Sequence, residues 1–94
     1  FFVEVVDRLK QLVCIEMPKR FSKRQAIICI DEMVSQGFSN RDTAYFLKKA
    51  AEMHMDEGDH NRAFTYVRRS LALDPRVPGG RRLSERLQER QFAS

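Results

Sequence analysis

Residues 43–75 read as one helical pattern, a Gly-Asp break, a second helical pattern and a closing Leu-Ala-Leu-Asp-Pro, an order that points to two helices folded back on each other. Leu47, Ala50, Ala51 and His54 recur at helical spacing on one face of the first helix, and Ala63, Val67, Ser70 and Leu71 on one face of the second. The small residues stand where two backbones must come close. Gly58-Asp59 supplies the corner, Asp59 caps the second helix, and Pro75 stops it.

The remaining elements follow by the same reasoning. Phe2, Val5, Val6, Leu9, Leu12 and Val13 form an amphipathic series over residues 2–16, and Pro18 is expected to end that helix and open a basic connector running to Phe21. Ser22 with Gln25 reads as a capping box, and Phe21 as half of a hydrophobic staple with Ala26 or Ile27. The helix that follows carries Ala26, Ile27, Ile30, Met33 and Val34, broadened by Ile28 and Cys29, until Gly37 stops it. Such a wide face implies neighbours on two sides. Ser39 or Asn40 caps the next helix, with Asp42 near the positive end of its dipole. After the breaker-rich Val77-Pro78-Gly79-Gly80, Leu83 and Leu87 give a last helix a thin apolar stripe, as suits the end of an array. The expected fold class is therefore all-α, built of antiparallel helical hairpins in one domain spanning 1–94.

The corner and its flanks resemble a tetratricopeptide repeat. The resemblance rests on Leu47, Ala50-Ala51, Gly58, Ala63 and the run Ser70-Leu71-Ala72-Leu73-Asp74-Pro75, at the family's length of about 34 residues. It implies a right-handed array: a degenerate hairpin over 1–37, a well-formed one over 39–75 and a capping helix over 79–92. Superimposing the hairpins sets Ala26 on Ala63, Ile27 on Phe64, Ile30 on Val67 and Val34 on Leu71, an offset of 37 residues. In that family peptides lie along the concave surface made mainly by the first helix of each repeat. The resemblance thus implies a scaffold that binds a peptide or a partner helix, with Tyr45, Lys48, Lys49, Glu52 and Met55 on the binding face and basic Arg68 and Arg69 beside them.

Two other resemblances compete. Met33-Val34-Ser35-Gln36-Gly37 is similar to the Met-x-x-x-Gly ending of a pentatricopeptide repeat, whose arrays bind single-stranded RNA; Lys48, Lys49, Arg68 and Arg69 would then neutralise phosphates. The second hairpin lacks that ending. Gly37-Phe38-Ser39 is similar to the loop of a small three-helix ubiquitin-binding domain, but the helix after it is too long.

Composition narrows the function classes. Hydrophobic residues at 43% with charged residues at 32% suit a folded helical domain and not a disordered tail. No apolar run approaches the roughly 20 residues that cross a bilayer, so no membrane role is expected. The net charge of +4 is spread, with seven Lys+Arg against six Asp+Glu up to Leu47 and ten against seven after it, which is no polybasic tail. Cys14 and Cys29 sit inside apolar patterns and read as reduced thiols of an intracellular protein, cytoplasmic or nuclear, with an organelle left open. A start at Phe1 and not Met suggests a segment of a larger protein.

Motifs for catalysis are missing: no phosphate loop, no His-Glu-x-x-His and no nucleophile in a strained turn. No enzyme activity, metal or cofactor is expected. Gly79-Gly80-Arg81-Arg82 reads as a linker before it reads as an anion cradle. His54 and His60 flank an acidic run, yet His54 belongs to the core face and His60 to the surface. Besides a peptide or another protein, the chain could pair with its own copy through the broad second helix, and RNA is the less favoured partner.

Overall fold

The computed structural model describes the backbone of residues 2–93 and the side chains of residues 4–90, and among the described residues every regular element is helical. The elements are α1 (Phe2–Gln11), a π-helical segment (Leu12–Glu16), α2 (Met17–Arg20), α3 (Lys23–Val34), α4 (Asn40–Asp56), α5 (His60–Leu73) and α6 (Gly80–Ala93). The expected apolar start at Phe1, Phe2 and Val3 lies outside the described side chains.

Pro18 does not end the first helix. The chain continues helically through it to Arg20, because a wider π turn intervenes: the Met17 amide donates to the Leu12 carbonyl, five residues back. A proline inside an α-helix lacks an amide and its ring collides with the carbonyl four residues earlier; placed just after a π turn, it opens a fresh helical stretch, where a missing amide costs little. The connector shrinks to Phe21-Ser22. Ser22 caps α3 by accepting from the Gln25 amide at 3.1 Å. Phe21, 75% exposed, staples nothing.

The Gly58 corner folds α5 back on α4. Gly58 takes a φ of +85°, and its amide donates to the Met55 carbonyl while that of Asp59 reaches the His54 carbonyl at 2.9 Å, the paired bonds that close a helix with a left-handed glycine. Asp59 then caps α5 through the Arg62 amide. Ala50, Ala51 and Ala63 are fully buried, as the alanine pattern anticipates, and so is Ala44. Ser70 donates to the Ala44 carbonyl at 2.6 Å while Ala51 packs with Ala63, so the register runs antiparallel along the seam.

Two cores share α4. One joins Val13 and Cys14 of the π segment to Ala26, Ile27 and Ile30 of α3 and to Phe46, Ala50 and Met53 of α4. The other joins Ala51 to Ala63 and Val67 of α5 and to Leu83 and Leu87 of α6. The latter pair makes the thin stripe of α6 enough to dock it. α3 does have neighbours on two sides, α2 with the π segment and α4, but Ile28 is left exposed where a broader buried face was expected. Two glycines stand at the start of α6 for different reasons. Gly79 has a φ of +78°, and a Cβ on Gly80 would stand 2.5 Å from a Val77 methyl, so the stretch is a packed turn.

Candidate partner-binding surface

Residues three and four apart on α4 line one face, which puts Tyr45, Lys48, Lys49 and Glu52 in a row. The Tyr45 ring sits between two ammonium groups, Lys10 Nζ at 4.8 Å and Lys49 Nζ at 5.6 Å from its centroid. Lys10 reaches across from α1 and bridges to Asp42 at 2.9 Å. Glu52 answers both neighbouring lysines, with Lys48 Nζ at 2.8 Å and Lys49 Nζ at 3.8 Å. The result is a half-buried aromatic shelf rimmed by paired charges of both signs.

The electrostatics follow from these contacts. The hydrogen bond from Lys10, more than any other influence, holds the Asp42 carboxyl below its ordinary range. Burial pushes the Tyr45 phenol up, keeping it a neutral donor and acceptor at physiological pH. Beneath the shelf, burial pushes the Cys14 thiol up to about 12, so it stays protonated and behaves as an apolar side chain. Cys14 and Cys29 are both free, as the sequence suggests.

The seven residues expected at the binding face are not one cluster. Tyr45, Lys49 and Glu52 stand together and partly open. Lys48 is only 7% exposed, and its ammonium lies 3.7 Å from where a Cβ on Gly79 would be, under the turn that leads into α6. Met55 packs half-buried against the α5–α6 core. Arg68 and Arg69 are exposed on α5, where Arg68 covers the Phe64 ring and Arg69 the Tyr66 ring.

Two surface features go beyond what local sequence signals disclose. On the side where α3 meets α5, a groove of about 500 Å³ is lined by Arg24, Asp31, His54, Arg62 and Tyr66 among others, and Tyr66 donates to Asp31 at 2.7 Å. Burial, reinforced by that bond, pushes the Tyr66 phenol up to about 12. The two residues are 35 apart in sequence, so only the fold joins them. The other is an apolar stripe along the outer side of α1 and α2, which the sequence hides because Pro18 argues for a break in the helix that carries it.

His54 is buried as expected, its ring 4.8 Å from that of Tyr66. His60, expected at the surface, is half-buried because α6 returns across the start of α5 and brings an Arg90 nitrogen to 3.2 Å of its Nε2. Among the described residues no three His, Cys, Asp or Glu converge as a metal site, and no helix is long and apolar enough to cross a membrane. Comparison with protein-family models, curated proteins and solved structures finds no match for the chain.

Proposed function

We propose that this domain is an interaction scaffold of the tetratricopeptide-repeat type, binding a mixed-charge peptide or partner helix along the α4 face. The observation that carries the reading is the Tyr45 shelf: an aromatic ring half open to solvent, flanked by Lys10, Lys49 and Glu52, all on or against one helix. An apolar side chain of the guest covers the ring, while a carboxylate and a cation beside it meet Lys49 and Glu52. Aromatic anchors ringed by polar groups are the usual energetic centres of interfaces.

Support for the repeat comes from the matched positions of the two hairpins. Ala26 and Ala63 are both fully buried, as are Ile30 and Val67, while Val34 and Leu71 are both half-buried. In this reading α4 is the first helix of the better repeat, the one that lines a concave surface in that family, and α6 is the polar terminal helix.

Titration of the domain with a panel of mixed-charge helical peptides tests the proposal, with single-stranded RNA as the competing probe at low and high salt. Peptide binding should survive high salt, and Tyr45→Ala or Lys49→Glu should weaken it by about tenfold or more, the loss expected on removing an interface anchor. Peptides that bind Tyr45→Ala as well as the parent chain would overturn the α4 site. RNA binding that falls steeply with salt, with no peptide binding, would replace the whole reading.

A further inference from the structure

The outer side of the first helical rod presents apolar side chains that no described residue covers. Val5 is 46% exposed, Leu12 44% and Phe21 75%. Leu12 and Phe21 share one face with Met17, because the π turn moves the chain on by five residues between Leu12 and Met17 where an α-helix would use four, and Val5 continues that face beyond Arg8. From Glu4 to Phe21 the stripe runs about 26 Å at helical rise. Its charges are ordered along it: Glu4, Arg8, then Leu12, then Glu16 and Arg20, all of them among the residues that line this side.

That order is self-complementary when reversed. Set against an antiparallel copy of itself about Leu12, the face brings Arg8 opposite Glu16 and Glu4 opposite Arg20, each twice by symmetry, while Leu12 meets its own counterpart. Phe21 of each copy then lies within a turn of Val5 of the other. Parallel, in-register pairing would instead set Arg8 on Arg8 and Glu16 on Glu16. Within one chain Glu16 already forms an ion pair with Arg20 at 3.4 Å, so in the pair each Glu16 stands between its own Arg20 and the mate's Arg8.

We propose that a second copy of this chain docks antiparallel on the α1–π–α2 face, forming a two-fold dimer centred on Leu12. A two-fold contact uses the same patch on both partners, which is what a charge order that reads Glu-Arg-Leu-Glu-Arg provides. The apolar side chains supply the affinity, and the exposed charge pairs choose direction and register. One helix face is a small contact, below the roughly 1,200 Å² of a standard interface, so the dimer is weak and reversible. The face lies apart from the Tyr45 shelf, and the two proposals fail independently.

Sedimentation of the whole 94-residue chain across a wide concentration range tests it. Wild type should pass from monomer to dimer. Arg8→Glu and Glu16→Arg should each weaken self-association by about tenfold or more, since each sets like charges together at both symmetric positions. An equimolar mixture of the two variants should dimerise again, because the carboxylate introduced at position 8 of one chain would face the guanidinium introduced at position 16 of the other. The double variant should self-associate like wild type. Unchanged circular dichroism shows that each variant folds. A wild type that stays monomeric up to about 1 mM, or variants that self-associate as well as wild type or fail to complement each other, would overturn the proposal.

Discussion

The two ends of the molecule bury apolar surface in opposite ways. In the half built by α4, α5 and α6, small residues let helices approach until Leu47, Val67 and Leu87 have no exposed area. Among the described side chains, the large residues Val5, Leu12, Ile15, Phe21 and Ile28 remain on the outside in the half built by α1, α2 and α3, against Leu73 in the other half. One half satisfies its apolar side chains internally; the other leaves a face to be covered from without. Alanine at a seam completes a hairpin on its own, whereas a leucine or phenylalanine stripe on a lone rod asks for a partner.

Two phenylalanines turn this contrast into the largest expected effect. Phe46→Ala should cost about 3–5 kcal/mol, since it empties a fully enclosed site. Against a typical total stability of about 5–15 kcal/mol, that is enough to bring the domain close to unfolding at ordinary temperature. Phe21→Ala should change the stability of the monomer by no more than about 0.5 kcal/mol. Urea unfolding of both at a concentration where the chain is monomeric decides the matter. Equal losses would mean that Phe21 is packed and that the halves do not differ.

A pair of serines makes the same comparison on a smaller scale. Ser70 is fully buried and donates to the Ala44 carbonyl across the α4–α5 seam, while Ser35 is exposed and donates to the Glu32 carbonyl within its own turn at 2.7 Å. Ser70→Ala should cost about 1 kcal/mol, the net worth of a buried bond, and Ser35→Ala less than about 0.5 kcal/mol, by thermal unfolding. A larger loss at Ser35 would show the end of α3 to be more firmly built than its exposure implies.

What is legible in the sequence follows the same division. The Gly58 corner, the Asp59 and Ser39 caps and the alanine seam all rest on local rules, spacing and turn chemistry, and each has its counterpart in the observed geometry. The first rod departs from expectation at Pro18, where a local rule for α-helices meets a π turn that no residue type announces. That turn sets the register of Leu12, Met17 and Phe21, so the sequence pattern does not disclose it. Of the expected binding face, Tyr45, Lys49 and Glu52 are legible as a helix stripe. The burial of Lys48 is not, because it depends on how the turn before α6 lies over α4, a contact between positions 48 and 79.

Acid should act on the two halves in separate windows, the smallest effect and the most selective. Burial, more than any nearby charge, holds the His54 imidazole below its ordinary 6.5; Asp59, Asp31 and Glu57 oppose this and Arg62 adds to it. The unfolded chain therefore takes up the proton first, and stability falls as pH drops from about 6.5 toward the folded value. Asp42 joins α1 to α4 through Lys10, and its folded value lies below the ordinary 3.8. Its contribution is complete above that ordinary value and disappears as pH falls through the folded one. Melting temperature followed from about pH 7 to about pH 3 should thus decline in two stages. His54→Gln should flatten the upper stage and leave the lower intact, while Lys10→Met should do the reverse, because each removes one link without touching the other. A wild-type slope in the upper stage that survives His54→Gln would show that the imidazole enclosed beside Tyr66 is not what makes the α4–α5 half sensitive to mild acid.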